Sequence, residues 1–217
     1  MKARHQQGFT LIEIAIVLAV ISLVLGGVLL AGNAIIERSR MASLIAKIND
    51  IAGASRTFKS KYGYFPGDMP NARTYITANG EISEPCTYAP GGTVVGNGLI
   101  DPGTESDCAL EHLVKAGLLS KIEQDGSGIY RVSSGFDIGR VSLSSNASQN
   151  VVRITRAPCD IALEIDRKLD SDFAGMPLSK GMVLGFDTVD ASSAAIATCS
   201  PGDPTKNDPV AALLIKY

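Results

Sequence analysis

The sequence predicts an α+β fold, a long N-terminal α-helical spine packed against a small antiparallel β-sheet domain. Three observations carry that expectation. Over residues 14–31 the only polar side chain is Ser22, which makes an 18-residue apolar run. Past Asn33 the apolar residues recur at three- and four-residue steps, and no proline occurs before Pro66. From about residue 129 onward, short β-branched clusters alternate with Gly, Ser and Asn turns, the mark of short antiparallel strands.

The start of the chain is chemically unusual. Lys2 and Arg4 stand before the apolar run, Gly8 stands at its boundary, and a carboxylate, Glu13, lies inside it. The run is long enough to cross a bilayer. Lys2 and Arg4 then favour a cytoplasmic N-terminus, although Arg38 and Arg40 behind the run weaken the asymmetry. A lone carboxylate among aliphatic side chains costs a few kcal/mol in lipid unless it is paired. No other side chain in 9–30 offers it a partner, so the partner is a headgroup, another chain, or a charge created later. Cleavage after Gly8 creates one, the α-amino group of Phe9. That amine lies four residues from Glu13, on the same helix face. A plain signal anchor that holds an exported domain is the competing reading.

The segment Gly8-Phe9-Thr10-Leu11-Ile12-Glu13 behind a short basic leader closely resembles the cleavage and methylation motif of type IV prepilins and type II secretion pseudopilins. The resemblance implies a pilin-like layout: a leader over 1–8 removed by a prepilin peptidase, a spine helix over 9–62, and a globular α+β domain over 63–217. The spine would have a transmembrane half at 9–36 and an amphipathic half at 37–62. Gly8 would precede the bond that is cut, Phe9 would be N-methylated, and Glu13 would pair with the Phe9 amine of a neighbour during filament assembly. The implied partners are copies of itself and other pilins, the peptidase, an inner-membrane assembly platform and membrane lipid. The implied location is a single-pass inner-membrane protein with its C-terminal domain in the periplasm, later part of a filament. A type IV pilus subunit is the first expectation and a secretion pseudopilin the alternative. Outside the family stands a membrane-anchored periplasmic enzyme or binding protein. Pilus-forming relatives often carry a proline within the span. This chain has none, so Gly26, Gly27 and Gly32 are where the helix would loosen, or where neighbouring helices would approach closely.

Charge is nearly balanced, with 20 basic against 22 acidic residues. That gives no basic patch for nucleic acid, and none is expected as a partner. About 150 residues past position 63 suffice for one compact core. The four cysteines, Cys86, Cys108, Cys159 and Cys199, all lie in this distal part and read as disulfides of an exported domain. Three connectivities are open, and the sequential one, Cys86–Cys108 with Cys159–Cys199, is the expectation. Zinc is not expected, because no Cys-x-x-Cys occurs and the only histidines are His5 and His112.

The amphipathic pattern after Asn33 runs through Ile36, Met41, Leu44, Ile48, Ile51 and Phe58. It extends the helix to Tyr62, with Gly63 as its stop and Pro66 beyond. One helix of this length spans on the order of 80 Å; a break at Gly26-Gly27 or Gly32-Asn33 is the alternative. Residues 62–70 form a turn-rich exit, and 70–100 read as a long connection stapled by Cys86. A short amphipathic helix follows over 107–118. Strands are predicted at 129–132, 136–143 and 151–155, a helix at 158–169, and further strands at 182–186, 194–199 and 210–215.

Catalytic patterns are missing. There is no Gly-x-Ser-x-Gly elbow and no phosphate-binding glycine loop, so the chain reads as structural rather than enzymatic. His112 reads as a packed or surface histidine, and Glu164, Asp166 and Asp170 as a solvated helix face. A weak calcium candidate is the Gly-rich stretch with Asp101, Glu105 and Asp107, which departs from EF-hand spacing. The acidic loop at 203–208 is an equal candidate, and solvated turns are the other reading of both. No other cofactor is expected.

Overall fold

The structure is a computed structural model that describes residues 10–83, 86, 96–120, 122–124, 130–132, 136, 138–170, 178, 181–186 and 210–217. The first helix, α1 (Leu11–Tyr62), is continuous across both glycine sites. It ends where Gly63 turns left-handed, at φ 82°. That conformation suits glycine, and the Gly63 amide closes the helix onto the Lys59 carbonyl. Proline-free chemistry and strong helix formers explain the length of α1. Its side chains divide into two kinds.

Residues 1–40 and 41–217 form two compact units. In the first, the described side chains of the apolar run stand exposed all round the helix, among them Leu11, Ile12, Ile16, Leu23 and Leu25. Ser22, the one polar group of the run over 14–31, turns its hydroxyl back to donate to the Leu18 carbonyl at 2.7 Å, which satisfies its own donor. The side chains of 28–34 lie outside those described, so the described run covers only 11–27. That is short of the roughly 20 residues a crossing requires. Accordingly, no helix is long and apolar enough to cross a membrane among the described residues, and the span expected over 9–36 is not seen within them.

In the second unit, α1 is one wall of the core. Met41, Leu44, Ile48, Ile51 and Phe58 are buried and belong to one cluster with the sheet. The chain then forms α2 (Ala72–Tyr75), α3 (Thr104–Lys115), β1 (Glu123–Gln124), β2 (Tyr130–Arg131), β3 (Val141–Asn146), β4 (Gln149–Ala157), α4 (Cys159–Leu169), β5 (Val183–Phe186) and β6 (Val210–Lys216). The short α2 sits inside the stretch expected to be a long connection. The helix expected at 107–118 starts earlier, at Thr104, because the turn at Gly103 has a positive φ that frees the chain to enter it. The strand expected at 136–143 begins only at Val141. The one expected at 194–199 lies outside the described residues.

The main sheet is antiparallel, in the order β3-β4-β6-β5, with β1 and β2 as a separate ribbon. Register places Leu143, Val152, Ile215 and Val183 opposite one another across four strands, and all four are buried in the main cluster. The period-two side-chain alternation of strands gathers them on one face. Val151, Phe186, Ala212 and Leu214 form a smaller cluster. The last residue is tied to the spine: the Tyr217 hydroxyl and the fully buried Ser55 hydroxyl share a 2.9 Å hydrogen bond, and the Arg56 guanidinium lies over the Tyr217 ring. Burial raises the Tyr217 phenol to about 12, so it stays neutral.

Phe58 is fully buried and packs against both Tyr62 and His112. Phe58→Ala is expected to cost about 3–5 kcal/mol, the usual range for emptying a large buried aromatic site, as read from chemical denaturation of the purified chain.

Candidate functional site

At the N-terminal end the site is built by Thr10 and Glu13. Thr10 caps α1. Its backbone N–H donates to Glu13 Oε2 at 2.7 Å, its hydroxyl donates to the same oxygen at 2.8 Å, and the Glu13 amide points to Thr10 Oγ1 at 3.4 Å. This is a reciprocal capping box, which satisfies amides that a helix start otherwise leaves open. The expectation that no side chain in 9–30 could partner Glu13 is therefore corrected. Thr10 partners it, because three residues is the separation at which a helix start brings the two side chains together. The signal was legible as a threonine followed three residues later by a glutamate before an apolar run. A carboxylate at this place also meets the positive end of the helix dipole. Gly8 and Phe9 lie outside the described residues.

The second cluster surrounds the start of α3. The Asp68 carboxylate is fully buried. It accepts the backbone amides of Gly96, Asn97 (3.1 Å) and Gly98 (2.8 Å), and so clamps the glycine loop. Burial pushes its carboxyl up, against the three amides that pull it down. Glu105 is 4% exposed. Its Oε2 accepts the Asp101 amide at 2.8 Å, while its Oε1 is buried without a hydrogen-bond partner among the described residues. Gly67, at φ 90°, brings the chain so close that an added Cβ would collide with the Glu105 carbonyl.

Of the weak calcium set, Asp107 departs: its carboxylate pairs with Arg140. Asp101 stays in the loop, bonded by Asn97 Nδ2 at 3.2 Å and by the Ser145 hydroxyl at 3.3 Å. Among the described residues no group of three or more His, Cys, Asp or Glu is arranged to hold a metal ion. The loop at 203–208 lies outside them. The solvated acidic face expected on α4 is also corrected in part. Glu164 does pair with Arg167 at the surface, but Asp166 is buried. Asp170, one turn on, accepts the Met182 amide.

His112 is a packed histidine. Its Nδ1 accepts the Gly67 amide at 2.9 Å, and its Nε2 stands 3.1 Å from the Cys86 carbonyl. Next to it, buried Glu111 accepts the Ser83 amide (2.6 Å) and hydroxyl (2.5 Å). Cys86 is bonded to Cys108, with Cα atoms 5.3 Å apart. The first half of the sequential pairing is thus present. Cys159 is also disulfide-bonded, and Cys199 lies outside the described residues. An open groove of about 380 Å³ beside α1 is lined by Asp50, Thr57 and Ser120 among others, with no histidine or cysteine in its lining.

A long helix that begins with a capped, all-round apolar half and continues as the wall of an antiparallel sheet domain defines a class: subunits that display a small domain on a helical spine. The comparisons specify it. A model described as the prokaryotic N-terminal methylation motif matches residues 3–29. The chain is 30% identical over 138 residues to the fimbrial protein EcpC of Eikenella corrodens, covering 63% of this chain and 88% of that protein. No solved structure matches. The chain belongs to the type IV prepilin and pseudopilin family, whose members are structural filament subunits.

Burial holds the His112 pKa below its usual 6.5. The folded state therefore favours the neutral ring, and its contribution to stability is present above pH 6.5 and lost as pH falls below it. Thermal melts between pH 7 and 5 are expected to show this loss, and His112→Gln is expected to remove that part of the acid sensitivity.

Proposed function

We propose that this chain is a structural subunit of a type IV pilus, made as a precursor and polymerised through α1. Hydrolysis after Gly8 would release the leader 1–8 and leave Phe9 with a free amine, the group that is then methylated. The run over 9–36 would hold the subunit in the inner membrane, with the domain 63–217 in the periplasm, until the assembly platform extracts it. In the filament the same apolar surface would lie against other spines, so the exchange is from one apolar surrounding to another.

The observation that carries this reading is the methylation motif at 3–29 on a chain whose curated relative is a fimbrial protein. That relative's name is also what favours a pilus over a secretion pseudopilus. The capping box adds a step. Before assembly the Glu13 carboxylate is occupied by its own helix start. In the filament it would turn to the Phe9 amine of a neighbour, which exchanges two hydrogen bonds from uncharged donors for an ion pair that also neutralises the carboxylate.

Two measurements test the reading. Mass spectrometry of the mature N-terminus is expected to find methylated Phe9, and an intact Met1 would refute processing. Glu13→Ala is expected to insert in the membrane but not to enter filaments. Glu13→Gln separates the two jobs of the residue, because glutamine can cap as glutamate does but carries no charge. It is expected to fail like alanine; normal filaments with glutamine would show that capping alone is needed.

A further inference from the structure

The Asp68, Asp101 and Glu105 carboxyls converge on the 96–101 loop from two sides. Asp68 comes from the turn after α1, Asp101 from the loop itself, and Glu105 from the first turn of α3. Both oxygens of Asp68 are used by loop amides. Glu105 also holds the loop, through the Asp101 amide, yet its second oxygen is buried with nothing to bond. Among the described residues, the charged groups acting on Glu105 are Asp68 and Asp101, both negative. Farther along α3, Asp107 is paired with Arg140, and His112 is held between Gly67 and Cys86. The strand side, β3, contributes the neutral Ser145 to Asp101.

We propose that Glu105 is a proton-operated latch on the 96–101 loop: with a proton on Glu105 the loop stays clamped on Asp68, and when Glu105 ionises the loop releases. The physical reason is the orphan oxygen. A protonated carboxyl at Oε1 places one fewer charge beside Asp68 and Asp101. An ionised one adds a third negative charge, buried beside the buried Asp68 and the half-buried Asp101, and hydration by loop opening is the available relief. The direction agrees with electrostatics. Burial first, then the two neighbouring charges, pushes the Glu105 carboxyl up to about 7 from 4.5. A carboxyl raised in the closed state stabilises that state fully at pH below 4.5, and the effect is lost as pH rises through about 7. In an exported domain the loop would respond to external pH. That consequence rests on the filament reading; the latch itself does not.

The test is hydrogen exchange of amides 96–101 in the full chain purified in detergent, at pH 6 and pH 8, corrected for intrinsic exchange. Wild-type protection is expected to fall about tenfold between the two, the change that a carboxyl with pKa 4.5 open and about 7 closed dictates. Glu105→Gln is expected to hold the loop equally at both. If that variant does not fold, Asp101→Asn serves instead: it removes one repelling charge and is expected to shrink the wild-type loss. Three results would overturn the latch. They are a wild-type loop indifferent to pH, a variant as pH-sensitive as wild type, and recovery of wild-type protection at pH 8 on adding calcium, reversed by chelator, which would mean that a cation satisfies Oε1.

Discussion

The constraint on which the rest depends is the apolar first half of α1. Its described side chains are aliphatic on every side, and full burial of each such side chain is worth about 1.5–3 kcal/mol relative to water. A helix of this kind has no stable place in water. Lipid tails and other helices of the same composition are nearly equivalent surroundings for it, because neither offers the other a hydrophobic advantage. That equivalence would let one surface serve both settings of the proposed assembly. It also explains why polar groups within the run matter so much. Ser22 is silenced by its own backbone bond to Leu18. Glu13 is kept at the helix start, where open amides give it work.

The second half of α1 meets a different demand. Its stripe of Leu44, Ile48, Ile51 and Phe58 is buried with sheet residues that register sets in a row. Loops that follow the helix are held by polar side chains that pair with backbone. Asp68 gathers three amides, Glu111 takes two groups of Ser83, and His112 joins Gly67 to Cys86. The Cys86–Cys108 bond closes the same region covalently. Several independent ties on one irregular stretch compensate for the regular ladders it lacks.

The buried titratable groups near α3 are of opposite kinds. His112 is held neutral by burial, and its part of the stability fails in acid; Glu105 is raised by burial and by like charges, and its part is lost as pH rises from 4.5 through about 7. The two sit on one helix, seven residues apart in sequence. Between pH 4.5 and 6.5 the two act in opposite directions, so each offsets part of the other's pH dependence.

Periodicity carried most of the architecture. The all-round apolar run, the three- and four-residue steps after Asn33 and the glycine at position 63 marked α1 to within two residues of its start, and the Pro158 boundary marked α4. The family signature was legible too, since Gly8, Phe9 and Glu13 are close in sequence and need no fold to be recognised. Such features are local: they follow from side-chain spacing along one element. What only the tertiary structure decided is which distant groups meet. Asp68, read as part of a turn, becomes the clamp of a loop 28 to 30 residues away. Asp107 leaves its acidic neighbours for Arg140, and Asp166 turns inward from what read as a solvated face. Contacts of this kind depend on burial and long-range pairing, and a chain of formally similar acids carries no mark of which one will lose its water.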